Sequence, residues 1–200
     1  MYREKVPHKG YRLLADIAEK IADADAKESN YFAVTSNVDG HFQAAGYSDS
    51  NVLEVHGSIH HLQCFSCQII IENTFVPEVD YELMSCKTLP QCKKCQEVLR
   101  PNILMFNDGE WLTERTEKQQ ANYSTFIKKH AASRLTIIEI GAGMAVPSIR
   151  NMCEHLLYRF EHSKLIRVNT DPLTSSGSWL DNKRYIDVPL SALEAITKIK

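Results

Sequence analysis

Residues 55–67, "VHGSIHHLQCFSC", set three histidines and two cysteines within thirteen positions. Imidazoles and thiols serve as metal ligands, general bases and nucleophiles, so this stretch holds the raw material for more than one chemistry. The thiols follow a pattern, because Cys64-x2-Cys67 recurs as Cys92-x2-Cys95. Two such pairs supply four thiolates, which suits tetrahedral Zn²⁺ with no open position and therefore a structural ion. Zinc is expected here in preference to free thiols or disulfides, although the window between the pairs slightly exceeds the commonest zinc-ribbon spacing. Cys86 is a rival ligand that lacks a CxxC partner. His60 and His61 lie close enough to compete but are not needed, and are read as leading the chain into the metal module. Cys153 falls on an apolar helix face and is assigned to the core.

A second group of polar residues falls where strands are expected to end. Thr35-Ser36-Asn37-Val38-Asp39-Gly40 follows one apolar run and His56-Gly57 another. Gly141-Ala142-Gly143 follows a third, and Asn169-Thr170-Asp171 a fourth. Each has an ordinary structural reading. "NVDG" suits a turn, Asn169 and Asp171 suit caps, a lone histidine at a strand end is more often a satisfied structural group, and "GAG" is only part of a dinucleotide fingerprint. Together they place hydroxyl, amide, carboxylate and imidazole groups beside glycines on one sheet edge. Such an edge fits a ribose-bearing dinucleotide, with a helix N-terminus after Gly143 near a phosphate.

The elements that must position these groups are legible in outline. After Pro7, apolar residues at Tyr11, Leu14, Ile17, Ala18 and Ile21 have helical spacing. "YFAVT" (31–35) and "NVLEVHG" (51–57) read as strands. "RLTIIEIG" (134–141) is apolar almost throughout, as in a parallel strand covered on both faces. Ile149, Met152, Cys153, Leu156, Leu157 and Phe160 mark a helix with Pro147 at its start. Strands at 164–169 and 184–188 and a helix over 189–199 complete the chain. Alternating strands and helices predict an α/β parallel sheet. Residues 58–105 break the alternation and read as an inserted module.

Composition narrows the partners. A hydrophobic fraction of 44% and a charged fraction of 24% are those of a globular chain, and 200 residues suffice for a core. A net charge of −2 gives no basic footprint for nucleic acid. No apolar run reaches the roughly 18 residues of a membrane span, and the N-terminus lacks the apolar core of a signal peptide. The expectation is an intracellular chain, cytoplasmic or nuclear and not secreted, with no membrane partner.

The ordered motifs resemble the sirtuin family of NAD-dependent protein deacylases. "TSNVDGHFQAAG" resembles T-Q-N-[IV]-D-G-L-H-x-x-A-G, and "VLEVHGSI" resembles V-x-E-x-H-G-S followed by the two CxxC pairs. "LRPNILMFNDGEW" resembles L-R-P-x-V-V-x-F-G-E. "IEIGAGMAVP" and "IRVNTDP" stand where the family has G-T-S-L-x-V-x-P and its I-N-x-[ED] strand end. The resemblance implies a Rossmann-like parallel sheet over 1–57 and 106–200 that binds NAD, with a zinc-binding module inserted over 58–105. It implies His56 as general base toward a ribose hydroxyl, Asn37 orienting groups around the ribose, and Asp39 with the Val38 backbone holding the nicotinamide carboxamide. Gly141, Gly143 and Asn169 would line the adenosine half, with Ser36, Ala142 and Asp171 completing the cofactor-binding set. Met105, Phe106, Gly109 and Glu110 would lie along an acyl-lysine peptide added as a strand. The acyl group would pass to ADP-ribose with release of nicotinamide.

Four departures are visible. Ser36 replaces a glutamine, Gly-Ala-Gly replaces Gly-Thr-Ser, and Asn107 and Asp108 intervene between Phe106 and Gly109. The fourth is that the family's opening strand, its G-A-G-x-S turn and its G-I-P-D-F-R loop have no counterpart. The expected sheet is therefore N-terminally incomplete, from an incomplete sequence, a truncated isoform or a chain completed by something else. Two other readings stand beside deacylation: a non-catalytic module that binds peptide tails, and NAD-dependent ADP-ribosyl transfer or NAD hydrolysis.

Overall fold

A computed structural model of the chain describes residues 5–21, 30–171 and 183–198. Its elements are α1 (Lys9–Ile21), β1 (Ala33–Thr35), α2 (His41–Ala44), β2 (Val52–Glu54), β3 (Gly57–Cys64) and β4 (Ile69–Glu72). There follow β5 (Val79–Asp80), β6 (Ser85–Cys86), β7 (Arg100–Ile103), α3 (Glu114–Lys129) and β8 (Thr136–Ile140). The chain ends with α4 (Ser148–Arg159), β9 (Lys164–Val168), β10 (Tyr185–Val188) and α5 (Ala192–Lys198). Residue 199, the last of the expected closing helix, lies outside the described residues.

The expected parallel pairing is present but divided. β1 pairs with β2 in parallel, and β8, β9 and β10 form a second parallel ladder in the order β10-β9-β8. Among the described residues no strand pairing joins the two ladders; helices do. Phe32, next to β1, stacks against Tyr123 and Phe126 of α3 at 5.4 and 5.5 Å. Tyr123 in turn lies near Cys153 of α4. On another side, Ala15 of α1 packs with Ala33, Tyr47 and Val52, while a Cβ on Gly10 would stand 3.2 Å from Ile196 of α5.

The second ladder has its core on the α4 side, where Ile137, Cys153, Leu157 and Leu165 are buried together. Burial, followed by the charge of Glu139, pushes the Cys153 thiol up to about 12, so this cysteine is an inert core residue, as expected. Beside it lies a buried ion network. Arg167 donates from Nε and Nη2 to the two oxygens of Glu139 at 2.5 and 2.8 Å, and from Nη2 to Glu154 at 2.9 Å. Arg150 meets the same Glu154 oxygen at 3.3 Å. Glu139 and Arg167 are register partners on adjacent strands, so pairing places opposite charges side by side. Glu139→Ala removes one carboxylate from a buried cation, and we expect a loss of about 3 kcal/mol. The measurement is the denaturant midpoint at unchanged m-value.

Two regions depart from the sequence reading. α3 lies in a stretch with no apolar stripe, since only Gln119 and Ile127 of its sixteen residues are buried. Residues 58–105 are more regular than the loss of periodicity suggested. β3 runs eight residues and pairs antiparallel with β4 on one side and β7 on the other. The alternation is hidden because β3 and β7 bury polar side chains, Ser58, Gln63 and Asn102, at 0 to 1% exposure.

Candidate functional site

Parallel register sets the first half of the site. Thr35 of β1 lies opposite Glu54 of β2, so the turns that follow these strands leave the same edge side by side. One turn carries Ser36 to Gly40 and the other carries Val55 and His56. Val55 N–H donates to the Thr35 carbonyl at 2.9 Å, which stitches the turns together. Asn37 N–H donates to Thr35 Oγ1 at 3.0 Å, and His41 N–H to Asp39 Oδ1 at 3.0 Å, so short polar side chains shape the loop. Asn37 is exposed, and Ser36, Val38, Asp39 and His56 are half-buried. Gly57 follows His56 at φ +78, where a Cβ would stand 2.0 Å from the Asn102 carbonyl oxygen. The glycine after the histidine is thus a demand of close backbone approach.

Two groups around this edge had no role in the sequence reading. The first is Tyr11 of α1, whose ring lies edge-on to His41 at 5.8 Å. Burial, then the Asp39 carboxylate, raises its phenol above the ordinary value. On an apolar helix face only its polar tip hints at more.

The second is Glu54, 1% exposed at the end of β2. Its Oε2 accepts from Gln43 at 3.1 Å, from Gln119 at 3.4 Å and from Arg115. Gln119 Oε1 accepts from the Glu54 N–H at 3.0 Å. The strand that ends just before His56 is therefore tied to α3 through both its backbone and its side chain. A lone acid between apolar residues in a strand was the available signal.

The expected peptide edge lies beyond β7. Met105 and Phe106 are 59% and 87% exposed, and Gly109 and Glu110 are exposed. The intervening Asn107 and Asp108 build the turn. Asn107 has φ +56, and Asp108 receives Arg100 Nη2 on both oxygens at 2.8 Å and the N–H groups of Met105 and Glu110. Burial works to raise the Asp108 carboxyl, but Arg100 and the two N–H groups outweigh it and hold it below the ordinary carboxylate range. Behind the turn, Gln63 donates to the Glu110 carbonyl at 2.7 Å and Asn102 to the Leu112 carbonyl at 2.9 Å.

At the second ladder, Ile140 and Val168 are partners, which brings Gly141 and Asn169 to one edge. Asn169 Nδ2 donates to the Ala142 carbonyl at 3.1 Å, and its Oδ1 accepts from the Asp171 N–H at 3.0 Å. The structure thus joins Gly141, Ala142, Asn169 and Asp171. Gly143 is exposed, and α4 does not start directly after it. Met144 to Pro147 intervene, and the helix starts at Ser148, beside the Pro147 expected at its start.

The four cysteines converge from β3, the turn after it, and the loop before β7. All four Sγ atoms lie within 4.8 Å of one another, with Cys64–Cys95 at 3.5 Å and Cys92–Cys67 at 3.8 Å. Zinc–thiolate bonds of about 2.3 Å place tetrahedral sulfurs about 3.8 Å apart, whereas a disulfide needs about 2.05 Å. The donor set fits one tetrahedral ion. N–H groups of Cys95 and Lys94 lower the Cys92 thiol, while the neighbouring thiols raise that of Cys67, as expected of four sulfurs crowded together. Cys86 is exposed and lies outside this group, among the described residues. His60 and His61 are not part of it either.

Polar side chains gathered at the ends of parallel strands, with a four-thiol module between, are those of an α/β protein with an inserted module. The chain belongs to the Sir2 family, whose model matches residues 4–147. It is 32% identical over 127 residues to NAD-dependent protein deacylase 1 of Caldanaerobacter subterraneus, covering 60% of this chain and 46% of that protein. It is 33% identical over 139 residues to the NAD-dependent protein deacylase of Campylobacter jejuni, covering 68% and 51%. With the NAD-dependent protein deacetylase of Clostridium acetobutylicum the identity is 37% over 76 residues, 38% of this chain and 28% of that protein. The chain spans about half or less of the length of these relatives. Membership implies a Rossmann-like α/β fold, with which the parallel ladders agree. Among the described residues no helix is long and apolar enough to cross a membrane.

Proposed function

We propose that this chain carries the base and most of the NAD-facing edge of a protein-lysine deacylase. Residues 1–57 and 106–200 form the NAD-binding part, and 58–105 a zinc-binding insert, in an intracellular setting that keeps thiols reduced. The observation that carries this reading is the junction of the Asn37–Asp39 turn and His56 at one parallel edge, in a chain whose relatives are named NAD-dependent deacylases. Bound NAD supplies an electrophilic ribose carbon and, after loss of nicotinamide, ADP-ribose as acyl acceptor. Val38 and Asp39 hold the carboxamide end, and Asn37 and Ser36 orient the ribose. Gly141, Ala142, Gly143, Asn169 and Asp171 line the adenosine half. His56 draws a proton from a ribose hydroxyl, a task suited to an imidazole near neutral pH. Met105, Phe106, Gly109 and Glu110 lie along the acyl-lysine peptide, which adds there as a strand. The Cys64, Cys67, Cys92 and Cys95 thiolates hold Zn²⁺ as a structural ion away from the reaction.

The test is nicotinamide release from NAD with an acetyl-lysine peptide. His56→Ala is expected to lower the rate at least about 100-fold with zinc content unchanged. A near-normal rate would remove His56 from this role. A second reading, ADP-ribosyl transfer or NAD hydrolysis, is favoured by the rebuilt turn at Asn107 and Asp108. Labelled NAD separates the two, since deacylation leaves the acyl group on ADP-ribose.

A further inference from the structure

The pairing of β3 with β7 is interrupted between Ser58↔Asn102 and Leu62↔Pro101. Three residues of β3, Ile59, His60 and His61, stand opposite none on β7, where Pro101 has no N–H to offer a ladder. The freed backbone turns toward the loop after β1. Ile59 N–H donates to the Val38 carbonyl at 2.9 Å, and His60 Nε2 lies 2.8 Å from the Asp39 carbonyl oxygen. A carbonyl oxygen only accepts, so Nε2 carries the proton. The ring passes directly beneath Gly40, where a Cβ would stand 2.5 Å from His60 Cδ2 and where φ is +69. The base of this arm is firm. His60 N–H reaches Ser58 Oγ at 3.3 Å, and Asn73 donates to the Ile59 carbonyl at 2.8 Å and the His60 carbonyl at 2.7 Å.

We infer that His60 is a positioning residue, a latch that fixes the Asn37–Gly40 turn in the form it presents to ligand. This role rests on the deacylase reading, which gives that turn the nicotinamide end of NAD. His60 touches no reacting atom; it acts through Val38, Asp39 and Gly40. Its backbone is clamped by the metal-bearing hairpin, so the ring cannot follow a shifting turn. Without the ring's N–H the turn keeps only the Ile59 bond on that side.

The experiment compares His60→Phe, which keeps a ring beneath Gly40 without a donor, with His60→Gln, which restores an N–H. Amide hydrogen exchange at Ile59 and His41 reads the latch whether or not the protein turns over. Calorimetric NAD affinity and the KM-against-kcat split read its consequence. His60→Phe is expected to speed exchange at both amides and weaken NAD binding by roughly tenfold, the worth of about one hydrogen bond. KM for NAD rises more than kcat falls, zinc content stays the same, and His60→Gln recovers most of the loss. Exchange at wild-type rates in His60→Phe overturns the latch. So does faster exchange with unchanged NAD affinity. Wild-type protein that binds no NAD overturns the deacylase reading instead, and the exchange comparison then decides the latch alone.

Discussion

Cys64→Ala is expected to strip the metal and unfold residues 57–103 as a unit, the largest effect of any single substitution considered. The reason lies in what the hairpins have for a core. Cys64 and Cys92, each 1% exposed, are themselves half of its buried cluster, with Leu62 and Leu99. The remaining strands are short, and Val76, Leu83 and Met84 are exposed at 78, 76 and 81%. Little apolar burial is left to hold the module once the ion is gone. Structural zinc sites contribute apparent free energies of about 10 kcal/mol or more, far beyond what this cluster supplies. Zinc per chain should fall to near zero, and limited proteolysis should cut between residues 65 and 98. Chelation of the unaltered protein should reproduce the pattern, whereas Cys86→Ala should leave both readouts unchanged. Full zinc content in Cys64→Ala would refute the four-thiol assignment.

Gly57→Ala is expected to be the next most damaging change. The φ of +78 alone costs an alanine only about 1–2 kcal/mol. The clash decides the outcome, because the obstructing atom is the backbone oxygen of Asn102 at 2.0 Å and not a side chain that could swing away. Asn102 has no room to yield, being 0% exposed and fixed by Gln63 and Leu112. We expect a loss of at least about 3 kcal/mol, seen as a lower denaturant midpoint or loss of soluble protein. Gly143→Ala is the control, since nothing lies within 4 Å of its added Cβ.

These two positions also show what was legible in the sequence. The four-cysteine group was, because ligand spacing is a local property and the chemistry of four thiolates admits few alternatives. The strands β1, β2, β8, β9 and β10 were legible as apolar runs, and the helices α1 and α4 by the helical spacing of their apolar residues. α3 was not, since its buried residues are only Ile127 and a glutamine bonded to Glu54, with aromatic contacts confined to its second half. The motif around His56 was visible, yet the reason for its glycine was not. That reason is a carbonyl on β7, brought close only by tertiary pairing. The direction of the His60 ring was hidden for a similar cause. Read along the chain, His60 leads toward the cysteines, and only an interruption of the β3–β7 ladder points its ring the other way. A parallel sheet lacking a central strand was expected, and the described residues form two parallel ladders, β1-β2 and β10-β9-β8.

β3 has a consequence for how the metal is sensed elsewhere. It starts beside His56 and ends at Cys64, about 24 Å apart were the strand fully extended. Exposed charges are felt over about 8 Å in physiological salt. The identity of the ion should therefore matter little at the far end, whereas its presence should be felt through the backbone of the strand. Co²⁺ in place of zinc would then serve as a coloured strain gauge, its absorption reporting the hairpin's geometry without altering the chemistry beside His56.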